Sequence, residues 1–128
     1  MKTTEMMSRA KFIKHRDKMI MNLDFSGLGI DDARQLSSYA KGVIGRMPQG
    51  SVLTLVDVTD VKYDEAFRAL SGDLAEHNKP YVLAGGVVGV EGWRKLLFWA
   101  TTKLTGRTNL RLFDDGEQAK EWLVGYRG

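Results

Sequence analysis

The apolar positions of this chain change their period along its length, and the changes divide it into elements. Ala10–Lys14 suits a short edge strand, and His15, Arg16 and Asp17 suit a turn. Lys18–Phe25 then alternates, with Met19, Met21, Leu23 and Phe25 on one side and Lys18, Asn22 and Asp24 on the other. That is the period of a half-buried strand, with Ile20 as its one exception. Gly27 and Gly29 end it. Asp31 or Asp32 starts a helix, where a carboxylate complements the positive end of the helix dipole. Leu36, Ala40, Val43, Ile44 and Met47 form its apolar stripe, and Pro48 and Gly50 stop it. Val52–Val58 is a nearly continuous apolar run, broken only by Thr54 and Asp57 and rich in β-branched residues, the pattern of a central strand covered on both faces. After an acidic loop, Asp64 can N-cap a helix with Phe67, Leu70 and Leu74 on its inner face. Tyr81–Val88 reads as another buried strand, roughly 91–105 as a helix, and Asn109–Phe113 as a short strand. Asp114 or Asp115 then caps a last helix with Ala119, Trp122, Leu123 and Tyr126 on one side.

The order β-β-α-β-α-β-α-β-α predicts an α/β fold: a mixed sheet of about five strands, with helices mainly on one face. Residues 1–9, polar with scattered methionines, are expected to fray. Residues 10–128 show no repeat, linker or low-complexity stretch, and so read as a single domain.

Composition narrows the function classes. The 128 residues contain no cysteine, which excludes disulfides and thiolate metal sites. The opening stretch MKTTEMMSRAKF lacks an apolar core segment, and no run approaches the roughly 18 apolar residues of a membrane span. The expectation is a cytoplasmic protein. A net charge of +3 does not by itself imply nucleic acid. The charge is segregated, however. Residues 1–18 hold six basic and two acidic side chains, residues 91–111 hold five and one, and Asp57–Glu65 holds four acids and one lysine.

Several stretches resemble the STAS fold of anti-sigma-factor antagonists, and more closely the small bacterial STAS/SEC14-like proteins. They are LDFSG at Leu23–Gly27, SVLTLVDVT at Ser51–Thr59, HNKPYV at His77–Val82, AGGVVGVEG at Ala84–Gly92 and LFDDGEQAKEWL at Leu112–Leu123. The resemblance covers about residues 12–125. It implies a binding or regulatory domain, and it implies a phosphorylatable Ser or Thr at the start of the helix after the central strand. Here Asp57, Val58, Thr59, Asp60 and Val61 match the first half of that motif, and Asp64 stands for its second Asp. Glu65 and Ala66 occupy the acceptor positions and Phe67 replaces the glycine. The acceptor hydroxyl is missing, and Glu65 puts a weaker fixed negative charge there.

Three groups of residues are candidate binding positions. Asp57, Thr59, Asp60, Asp64 and Glu65 form an acidic loop. Its carboxylates could take a hard cation, or they could be a solvated loop plus an N-cap. Gly86 and Gly89 precede a helix bearing Arg94 and Lys95 in its first turn. Backbone N–H groups there could hold an anion, or the glycines could serve a tight turn and close packing. Within that helix, Trp93, Leu96, Leu97, Ala100 and Leu104 form the inner stripe. Phe98 lies about 140° from Trp93, and Trp99 about 120° on the other side. Both fall near Arg94, Lys95 and Lys103. They mark a partner or ligand surface, or a wide face covered by neighbouring helices.

His15 and His77 have no ligand partner nearby in sequence, and no nucleophile–base pair can be nominated. The sequence therefore predicts a non-enzymatic binding domain without a cofactor or metal. It would dock a protein through the acidic loop, the glycine loop and the Arg94–Lys103 helix. The alternative is a carrier of a lipid or other apolar ligand using Trp93, Phe98 and Trp99, with peripheral membrane contact or a homodimer as further options. Nucleic acid is disfavoured, because 16 acids offset the 19 basic residues and no reading motif occurs.

Overall fold

A computed structural model describes residues 1–92, 95 and 108–128. Five strands form one mixed sheet in the order β1-β2-β3-β4-β5: β1 (Ala10–His15), β2 (Lys18–Asp24), β3 (Val52–Asp57), β4 (Val82–Val88) and β5 (Leu110–Phe113). The β1–β2 hairpin is antiparallel, and every later pairing is parallel. Four helices are described: α1 (Thr3–Arg9), α2 (Ile30–Ile44), α3 (Glu65–Asn78) and α4 (Gly116–Gly125).

The elements follow their local chemistry. Asp64 caps α3, its carboxylate accepting from the Phe67 N–H at 2.9 Å. Asp115 does the same for α4 through the Gln118 N–H at 2.8 Å. In α2 the cap is Gly29, without a side-chain bond, and Asp31 and Asp32 lie in the first turn. Their charge still complements the helix dipole. Leu36, Ala40 and Ile44 are buried as their spacing requires.

Residues 1–9 depart from the expectation of fraying. They carry α1, which is tied down at both ends. The Met1 ammonium donates to Gln35 Oε1 at 3.0 Å, and Arg9 Nη1 donates to the carbonyls of Asp24 and Ser26 at 3.1 and 3.0 Å. Met1 and Met6 pack on the core, so the scattered methionines have an inward side.

Helices cover both faces of the sheet. On one, α2 and α3 enclose Met21, Leu23, Phe25 and Val52, with α1 contributing Met6. On the other, α4 places Ala119 and Leu123 in a cluster with Ile20, Leu53, Leu55, Ala84 and Val88. The expectation of helices mainly on one face thus describes α1–α3 and not α4. This also explains Ile20. It is out of phase with Met21 and Leu23 because it faces the opposite side of the sheet, where it is fully buried.

Candidate binding surface at the carboxyl ends of the strands

Parallel pairing brings four loops to one edge. Asp24 pairs with Asp57, Asp57 with Val88, and Val88 with Phe113, so β2 to β5 end level with one another. Beyond that level the backbone stays linked. Phe25 N–H donates to the Asp57 carbonyl at 2.9 Å, Gly27 N–H to Thr59 at 2.9 Å, and Val58 N–H to Val88 at 3.0 Å.

Two matching turns stand side by side at this edge. Asp57 Oδ1 accepts from the Thr59 N–H at 2.9 Å and from Thr59 Oγ1 at 2.6 Å. Asp24 Oδ1 accepts from the Ser26 N–H at 3.0 Å and from Ser26 Oγ at 2.5 Å. A carboxylate that accepts from the backbone two residues on makes a compact turn of this type. Asp24 and Ser26 were not singled out from sequence as site residues. The signal was present as a repeated Asp-x-Ser/Thr, DFS at Asp24–Ser26 and DVT at Asp57–Thr59.

The acidic loop is held from beneath. Gly89 has φ +90°, and a Cβ there would lie 2.4 Å from Thr59 N, so only glycine lets the β4 loop approach so closely. Val61 is buried, and Tyr63 meets Phe67 edge-on at 6.2 Å, which in turn meets Phe25 at 6.3 Å. Asp60 turns the chain with φ +57°, a region that Asp tolerates better than most residues. With Val61 inward and Asp64 capping α3, the side chains of Asp60, Lys62, Asp64 and Glu65 remain exposed. Four of the predicted positions, Asp57, Thr59, Asp60 and Gly89, therefore meet at this edge. Asp64 and Glu65 sit at the start of α3.

Gly86 does not belong to this surface. It is buried within β4, and a Cβ there would come within 3.3 Å of Ala119 Cβ and 3.4 Å of the Phe113 ring. Its missing side chain seats α4 on the sheet, although only two residues separate it from Gly89 in the chain. Lys95 is exposed, 3.7 Å from Asp114 Oδ1, and lines an open groove of about 340 Å³ with Arg111, Phe113 and Gln118. Trp93, Arg94, Phe98 and Trp99 lie outside the described residues.

The histidines are elsewhere. His15, at the hairpin, shares Glu121 with Arg16: His15 Nε2 lies 2.6 Å and Arg16 Nε 3.0 Å from Oε2. His77 bonds Asn78 and stacks on Tyr81, near the start of β4. Among the described residues no three His, Asp or Glu side chains converge in a way that could hold a metal ion. Nor is any described helix long and apolar enough to cross a membrane. The edge is thus a polar, acidic surface whose loops are linked by backbone and side-chain hydrogen bonds. In comparisons with known proteins, no family model, no curated protein and no solved structure matches this chain.

Proposed function

We propose that this chain is a non-enzymatic, STAS-like binding domain of the cytoplasm that docks a protein partner bearing a basic patch. The observation that carries the reading is the Asp57–Glu65 loop. Its anchors point inward, through the Asp57–Thr59 turn, the Gly89 contact and buried Val61, while Asp60, Asp64 and Glu65 stay exposed. A preorganised charged loop loses little entropy on binding and steers an oppositely charged partner to it. The mixed sheet with an antiparallel β1–β2 hairpin is compatible with the STAS resemblance. Glu65 and Ala66, at the family's acceptor positions, make this a docking surface of constant charge rather than a phosphorylation switch. The open, charge-rimmed grooves among the described residues favour docking over enclosure of an apolar ligand.

The test is capture from the native cytoplasm with immobilised protein, comparing wild type with Asp60→Asn/Glu65→Lys, in which Asn keeps the tolerance for the positive φ of residue 60. Both positions are exposed, so circular dichroism should match. The expected result is a specific partner retained by wild type, released by rising salt and absent with the variant. Equal recovery on both proteins would overturn the assignment.

A further inference from the structure

The α2–α3 side of the molecule carries a second surface, independent of the strand-end loops. The two helices run in the same direction, since Lys41 pairs with Asp73 and, one turn on, Gly45 lies beside His77. Between them is an open groove of about 370 Å³. Its α2 wall includes Arg34, Ser38 and Lys41, and its α3 wall includes Ala69 and Asp73.

Two features of the groove and the helix faces beside it have no use within a single chain. The first is Ser37, which lines it, is 1% exposed, and has an Oγ without a hydrogen-bond partner among the described residues. Folded chains rarely leave such a group unmatched. The second is a pair of glycines inside the helices. Gly42 follows Ser38 by one turn of α2, and Gly72 follows Ala69 by three residues of α3. Both are exposed, both lack a positive φ, and a Cβ at either would meet nothing within 4 Å. Glycine in a helix interior is less favourable than alanine, and nothing in the chain's own packing requires it at these positions. A bare helix face does allow another helix to approach closely.

We infer that this face binds a second copy of the same chain, with α2 of each copy seated on α3 of the other. Charge selects this occupant and this geometry. A two-fold axis across the helices would stack α2 antiparallel on α2 and bring Arg34 and Lys41 of one copy towards Lys41 and Arg34 of the other. An axis along the helices stacks α2 on α3. Lys41 then faces Asp73 of the second copy, and Ser38 and Gly42 face its Ala69 and Gly72. The same patch serves both copies, as an isologous interface requires. The second copy closes the groove above Ser37.

Sedimentation equilibrium of the purified chain across a concentration series tests this. Wild type should rise from 14.4 kDa towards twice that mass. Gly42→Gln/Gly72→Gln should stay at the monomer mass. Its thermal midpoint, measured at a dilution where both proteins are monomeric, should not fall, because each substitution improves helix propensity. Lys41→Glu and Asp73→Lys should each dissociate alone and form a heterodimer when mixed. A wild type that stays monomeric up to about 1 mM, the scale of the weakest specific complexes, overturns the inference. So does a glycine double variant that dimerises like wild type, or a mixture that forms no heterodimer. The measurement uses purified protein alone, so its result is separate from that of partner capture.

Discussion

The two faces of the sheet solve the same problem with different side chains. On the α1–α3 face the core is built from large groups, with Met21, Leu23, Phe25, Leu36, Ile44 and Phe67 enclosed between long helices and the strands. On the α4 face a ten-residue helix approaches a floor that includes Ala84 and Gly86, with its own Ala119 against them. Large side chains fill the first interface by volume. The second depends on close approach over Gly86, with Ile20, Leu53, Leu55 and Leu123 as its main bulk. The short helix is also held from outside, where Glu121 takes both Arg16 and His15 of the hairpin. A helix too short to bury much apolar area gains its position from a missing side chain and an ion cluster.

The largest expected effects come from truncating each core. Leu36→Ala should cost about 3–4 kcal/mol and Leu123→Ala about 2–3 kcal/mol. The difference arises because α4, at the margin of its cluster, can settle into the space more easily. Urea denaturation of both variants checks this, and a larger loss for Leu123 would break the contrast. Next comes Gly86→Val. Its methyl groups would have to displace Ala119 and Phe113, so about 2 kcal/mol of overpacking is expected, with loss of the near-ultraviolet signal of Trp122, which packs on Phe113 at 5.5 Å. An unchanged signal would show that α4 does not depend on close approach.

The caps act as a control, because the same chemistry serves both faces. Asp64→Ala and Asp115→Ala should each cost about 1 kcal/mol. The caps lie on opposite sides of the sheet, so the double variant should show the sum; clear non-additivity would mean that the two faces are coupled.

The smallest effect is pH-dependent. Arg16 and His15, in that order, hold the Glu121 carboxyl down to about 2 from its ordinary 4.5 by hydrogen bonding. Between those values the unfolded chain binds the extra proton, so stability rises with pH across that window. The contribution is complete above 4.5 and lost as pH falls through about 2. Because Glu121 and Arg16 are half-exposed or more, the cluster is screened by solvent and salt. Wild type should exceed Glu121→Gln in stability above pH 4.5, with the gap closing towards pH 2. A gap that is constant with pH would mean the carboxylate charge is not what ties α4 to the hairpin.

Much of this architecture was legible in the sequence. The α2 stripe of Leu36, Ala40 and Ile44 repeats at the helical period, and β3 shows the continuous apolar run of a strand covered on both faces. Asp64 and Asp115 act on N–H groups three residues away, so their capping is local chemistry that sequence displays directly. The acidic loop could also be recognised as one unit, because its residues are consecutive. The N-terminal helix was missed because its stabilising partners, Gln35, Asp24 and Ser26, are distant in the chain. The Asp24 turn was missed because its significance lies in standing next to Asp57, and adjacency across strands follows from register.

By itself, then, the sequence determined the five strands, helices α2 to α4, two of their caps and the acidic loop, because backbone period and capping act over a few residues. Only the tertiary structure decided which side each residue faces and what it meets there. Ile20 is an exception in its strand until α4 covers it. Gly86 looks like part of a glycine loop until Ala119 is seen against it. His15 and Arg16 look like turn residues until Glu121, more than a hundred positions later, joins them. Each of these outcomes depends on a partner that the chain brings close only by folding, and no local pattern encodes that meeting.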